Sequence, residues 1–161
     1  MIGKLRARMT EDQTGFTLVE LLVVMLIIGL LAAIAIPSFF NQRDKAKDSN
    51  AKEGVRTAQT AMETCATDSG GSYVGCDVTK LVAIEPTLAD YGTNLTLAGV
   101  TPTATSYTVQ VKSTGADGNL FQITRNSGGT IDYKCGTAVG VPPATTSAGK
   151  AGCPSTGNWD A

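Results

Sequence analysis

The stretch Gly15-Phe16-Thr17-Leu18-Val19-Glu20-Leu21-Leu22 opens an apolar block that carries no charge from Leu21 to Ile36. Phe16 to Ile36 is 21 residues, close to the roughly 20 that a helix needs to cross a hydrocarbon core. Glu20 is the exception within it. A charged side chain at bilayer depth costs about 2.5–3.5 kcal/mol on insertion scales, and such residues usually meet a functional partner. What meets Glu20 is the question this sequence poses.

The residues before the block sharpen it. Met1 to Gly15 is hydrophilic, with Lys4, Arg6, Arg8, Glu11 and Asp12. A secretory signal peptide has its apolar stretch before a small-residue cleavage site, and here the order is reversed. A plain membrane anchor, with Glu20 snorkelling to the headgroups, would use the block but leave the abrupt Gly15-Phe16 junction unexplained. The leader cations precede the block, and no comparable basic group follows until Arg43. That bias sets the N-terminus in the cytoplasm and sends everything after Pro37 to the outer side of the membrane.

Composition removes several chemistries. The chain has 161 residues, 42% of them apolar, a net charge of −1 and no histidine. Without histidine there is no Ser-His or Cys-His nucleophile and no His-containing zinc site. No nucleophile–base pair is recognisable, and an enzyme is the weakest reading. Cys65, Cys76, Cys135 and Cys153 lack paired C-x-x-C spacings, so an all-cysteine zinc site is not indicated. In an exported domain an even cysteine count reads as two disulfides, against the alternative of four buried thiols. Three pairings exist in principle. Sequence proximity across Gly-rich loops favours Cys65–Cys76 and Cys135–Cys153.

Gly15 to Leu22, with the apolar block and Pro37 behind it, resembles the N-terminal signal of type IV prepilins and type II secretion pseudopilins. The close match covers residues 13 to 45. The resemblance implies cleavage after Gly15 by a prepilin peptidase and N-methylation of the new Phe16 amine, with Glu20 as the assembly residue. Cleavage would place a positive amine one helical turn from Glu20, where Glu20 of one subunit could pair with Phe16 of the next. At about 4 Å and an effective dielectric of 20 the attraction is roughly 4 kcal/mol, and stranding either partner in lipid is costly. Implied partners are the peptidase, other copies of this or related chains in a helical filament, an inner-membrane assembly platform and its ATPase.

Pro37 removes one backbone donor and should kink or loosen the helix. Beyond it Ala51, Val55, Ala58, Met62 and Cys65 recur on one helical face. Arg43, Asp44, Lys45, Lys47, Asp48, Lys52 and Glu53 read as a solvated face or as contacts to neighbouring subunits. Asp68-Ser69-Gly70-Gly71 ends the helix. From Phe16 to Thr67 it would be about 78 Å long, more than a small domain can bury. Gly29 and Ala33 form a small-x-x-x-small pair, a weak signal of close helix approach.

Then the period becomes 2. Tyr107, Val109 and Val111 alternate with polar residues, as do Phe121 with Ile123 and Ile131 with Tyr133, across turns at 115–118 and 126–129. These make an antiparallel meander packed on Val55, Ala58 and Met62, with Leu95–Leu97 as a further edge strand. Tyr107, Phe121 and Tyr133 read as core or cross-strand pairs. Residues 136–161 are loop-like, with Pro142-Pro143, Thr145-Thr146-Ser147 and Trp159. A Cys135–Cys153 bridge there resembles the pilin C-terminal loop and would contribute roughly 3 kcal/mol.

The expected fold is therefore α+β and type IV pilin-like, a long N-terminal helix on an antiparallel β-meander with a disulfide-bridged C-terminal loop. Its expected parts are a cleaved leader (1–15), a membrane and assembly half-helix (16–36), an amphipathic half-helix (37–67) and a globular β region (68–161). The expected function is that of a pilin, waiting in the membrane and then polymerising at the cell surface. Alternatives are a pseudopilin of a secretion or competence machine, and a filament-tip adhesin or DNA receptor. Removing the leader's three basic and two acidic residues from 13 and 14 leaves 10 and 12, which gives no basic groove for DNA. No cofactor or metal is expected. Asp117, Asn119 and Asp132 form no twelve-residue calcium pattern, and the sequon Asn94-Leu95-Thr96 is a common match.

Overall fold

A computed structural model describes residues 15–137 and 151–159. The leader and the Pro142-Pro143 and Thr145–Ser147 stretches lie outside those residues, apart from Gly15. The chain divides into two units between Phe39 and Phe40. Helix α1, Leu18–Asp68, passes through the division and contains Pro37.

In the first unit α1 is apolar all round and bare. From Phe16 to Phe39 its large apolar side chains are exposed, and Phe16 itself is 81% exposed. The apolar window is long enough to cross a membrane, and none of it is buried. A surface of this kind marks contact with lipid or protein.

In the second unit α1 becomes one-sided. Ala51, Val55, Ala58, Met62 and Cys65 are buried, with Gly54, Ala61 and Ala66 beside them. The helix ends where sequence chemistry says it should. Gly70 and Gly71 take positive φ, and the Gly71 N–H reaches back to the Ala66 carbonyl at 2.7 Å, capping the terminal carbonyls. Cys65 is bridged to Cys76 across this turn.

Two short helices follow that the hydrophobic pattern did not reveal. Helix α2, Val78–Ile84, is N-capped by Asp77, whose carboxylate accepts the Lys80 N–H at 2.9 Å. A 3₁₀ helix runs over Pro86–Asn94, with a break at Gly92. Strands β1 Leu95–Leu97, β2 Tyr107–Lys112, β3 Leu120–Arg125 and β4 Ile131–Gly136 form one sheet in that order. Every neighbouring pair is antiparallel. The expected meander and its edge strand are therefore present, and Tyr107, Val109, Val111, Phe121 and Ile123 join the α1 face in the core. The opposite face of the sheet is buried too at Thr108, Gln110 and Gln122. There the Gln110 amide donates to the Thr96 hydroxyl at 2.9 Å, and the Gln122 amide to Thr124 at 3.0 Å.

The C-terminal segment is docked rather than loose where it is described. Cys135 is bridged to Cys153, and Asn158 pairs with Lys134 at the sheet edge. Trp159 is 7% exposed and meets Phe121 and Tyr133 edge-on, at ring distances of 5.9 and 5.2 Å. Its indole N–H donates to the Lys134 carbonyl at 2.9 Å.

The charge cluster on α1 is not uniformly solvated. Asp48 is 1% exposed, because Asn119 and Gly152 close over it. Asp44 accepts the Ala116 N–H at 3.2 Å. Lys52 lies over the Phe121 and Trp159 rings, at 5.3 and 5.9 Å, and its burial there lowers its pKa against the opposing pull of Asp48.

Candidate assembly site

The sequence places Gly15, Phe16 and Glu20 together, and the structure gives them a specific local form. Gly15 to Thr17 precede α1 and are exposed. Thr17 is followed three residues later by Glu20, the pattern of a capping box. The box is closed. The Thr17 N–H donates to Glu20 Oε2 at 2.8 Å, the Thr17 hydroxyl donates to the same oxygen at 2.7 Å, and the Glu20 N–H donates to Thr17 Oγ1 at 3.2 Å.

Thr17 is thus a residue of the site that a charge standing in an apolar run does not by itself reveal. Its signal was present as T-x-x-E directly before an apolar run. Within one chain the carboxylate is held by the first turn of its own helix, where the aligned peptide dipoles also favour negative charge. Around it Phe16, Leu18, Val19, Leu21 and Leu22 present apolar surface to the exterior. The arrangement is a fixed anion set in an apolar collar.

The other residues singled out in the sequence are spread through the fold. Pro37 lies within α1. The four cysteines form two bridges in the second unit, Cys65–Cys76 and Cys135–Cys153. Asn119 is buried on Asp48, whereas Asp132 accepts from Asn126 at 2.8 Å. Among the described residues no group of three or more acids or cysteines is placed to hold a metal ion. Asn94 ends the 3₁₀ helix, and the Thr96 hydroxyl of its sequon takes the Gln110 amide.

Residues 12–36 match the family model described as the prokaryotic N-terminal methylation motif. The chain is also similar to proteins named as fimbrial or pilin proteins and as type II secretion proteins. It is 41% identical over 70 residues to a type IV major fimbrial protein, FimA, of Dichelobacter nodosus, covering 42% of this chain and 45% of that one. It is 43% identical over 58 residues to the type IV major pilin protein PilA of Myxococcus xanthus (strain DK1622), covering 36% and 26%. Over 53 residues it is 38% identical to the type II secretion system core protein G of Pseudomonas aeruginosa, covering 33% and 37%. The matched stretch spans less than half of each of these relatives. Motif, relatives and architecture agree on a protein with the prepilin-type N-terminus and a type IV pilin-like fold.

Proposed function

We propose that the chain is a structural subunit that is processed at Gly15-Phe16 and polymerises through its N-terminal helix into a type IV pilus filament. The observation that carries this reading is the bare apolar half of α1 with one fixed carboxylate at its start. Lipid satisfies the apolar surface while the subunit waits. It does not satisfy the carboxylate, which calls for a cation at the same depth.

Cleavage after Gly15 supplies one. The exposed, non-helical Gly15-Phe16 segment suits a peptidase, and the product carries an α-amino group on Phe16. Both Thr17 bonds end on Glu20 Oε2, so Oε1 is left to accept from a neighbouring subunit's ammonium. Lateral packing of the apolar helix faces then removes them from lipid, and the charge pair sets their stagger. Partners on this reading are a prepilin peptidase, further copies of the chain, and a membrane platform with its ATPase. A short secretion-type filament is the second reading, favoured by the likeness to core protein G.

Intact-mass and N-terminal peptide measurements on the purified protein test the processing step. The expected result is a chain beginning at N-methyl-Phe16. A chain in mature filaments that still begins at Met1 contradicts it.

A further inference from the structure

Asp48 is an acid buried on the sheet-facing side of α1, a placement that is unfavourable unless its oxygens are well occupied. Two segments distant in sequence converge on one of them. Asp48 Oδ2 accepts the Asn119 side-chain amide at 2.7 Å, from just before β3, and the Gly152 N–H at 2.8 Å, from the C-terminal segment. Gly152 is the residue before Cys153. A Cβ on Gly152 would lie 2.8 Å from Asp48 Cβ, so only glycine admits this approach. Ala151 is turned into the left-handed region, at φ 50°, which alanine holds only where its surroundings impose it.

On the far side of Cys153 the same segment is tied to the sheet edge. The Cys135 N–H donates to the Gly157 carbonyl at 2.8 Å, and Asn158 and Trp159 both fasten to Lys134. Cys153 is therefore held between an anchor on the helix and an anchor on the strand that bears Cys135. Neither anchor is covalent. Cys65–Cys76 does not depend on Asp48: it joins the last turn of α1 to the residue before the Asp77 cap, and its loop is fastened to Glu63 through the Tyr73 hydroxyl.

We infer that Asp48 is a positioning residue for oxidative closure of the Cys135–Cys153 bridge, docking the C-terminal segment so that the two sulfurs meet before they are joined. The oxidant is a small-molecule or protein disulfide. One cysteine, as thiolate, attacks it and releases a first thiol; the second cysteine then attacks the mixed disulfide and releases the other. Two electrons pass from the cysteine sulfurs to the oxidant, whose sulfurs take up the two protons. Asp48 takes no part in the exchange. It raises the effective concentration of one cysteine at the other.

The test uses the full chain in detergent micelles, equilibrated in glutathione buffers, acid-quenched, alkylated and mapped by peptide mass. Asp48→Ala should lower the effective concentration of Cys135–Cys153 by about tenfold or more, as loss of hydrogen bonds to a charged group warrants. The Cys65–Cys76 value should stay within about twofold, because no anchor of that pair is touched. Asp48→Asn keeps an acceptor oxygen and should recover most of the loss. Gly152→Ala perturbs the contact from the other side without altering α1, and should reproduce the selective loss even if Asp48→Ala folds poorly. The inference is overturned if Cys135–Cys153 closes equally well in both alanine variants, or if both bridges weaken together in both.

Discussion

Glu63 shows how single residues fasten the second unit together. Its carboxylate accepts the Tyr73 hydroxyl at 2.6 Å and the Tyr107 hydroxyl at 2.9 Å, with Arg125 at 3.5 Å. One acid on α1 thereby ties the first disulfide loop, β2 and β3. Burial, then the bonded and charged Glu63, push the Tyr73 phenol up to about 12 and the Tyr107 phenol higher still. The sign follows from which form the fold favours. A phenol whose folded pKa lies above its unfolded value of about 10 contributes its full stability below pH 10 and loses it as pH rises toward 12. Denaturation of the full chain in detergent, read by the single tryptophan, should show stability falling through that window. Glu63→Gln should lower stability by about 1–3 kcal/mol and bring the Tyr73 ionisation, seen by tyrosinate absorbance, back toward its ordinary range. Little of this was legible in the sequence, where Glu63, Tyr73, Tyr107 and Arg125 are far apart and share no periodicity. Glu20 was legible because a charge in an apolar run stands out from its immediate neighbours, and Thr17 because T-x-x-E is local.

At the level of elements, regular period was readable and short irregular pieces were not. The alternation in β2, β3 and β4 and the apolar stripe of α1 repeat over enough residues to be seen. Helix α2 has only seven residues, and the 3₁₀ helix after it starts at a proline and is broken at Gly92, so neither displays a full repeat. Asp77 as a cap was the available sign. Gly54 sits inside α1, where glycine costs about 1 kcal/mol against alanine. Its reason comes from that unread region. A Cβ at Gly54 would fall 2.3 Å from the Tyr91 ring, and the Tyr91 hydroxyl donates to the Asn50 carbonyl at 3.0 Å. Burial, with Glu53 and Asp90 nearby, raises the Tyr91 pKa. Gly54→Ala should therefore destabilise the protein by about 1–3 kcal/mol through overpacking, despite alanine's better helix propensity. In a Tyr91→Ala background the same substitution should be neutral or stabilising. A double-mutant cycle by chemical denaturation measures that change of sign.

On the scale of the whole molecule, the chain separates two kinds of stability. The second unit closes its own core with α1, the sheet, two disulfides and a docked C-terminus. The first unit, Gly15 to Phe39 among the described residues, buries nothing of its apolar window and depends on what surrounds it. The exposed apolar stretch was legible in the sequence because apolar residues crowd the first third of the chain. The docking of Trp159 was not, since 136–161 reads as loop by composition and Trp159 is held by contacts that only the folded sheet provides. We propose that Glu20 is the charge through which one subunit takes up the next. It is tested most directly by shearing surface filaments from cells that make either the wild-type chain or Glu20→Ala, then comparing filament and membrane fractions by immunoblot and electron microscopy. Wild-type chain is expected in filaments, with Glu20→Ala inserted in the membrane and at least about tenfold depleted from them, the factor expected when a buried charge is left without its partner. Filaments of normal number and length built from Glu20→Ala would contradict it.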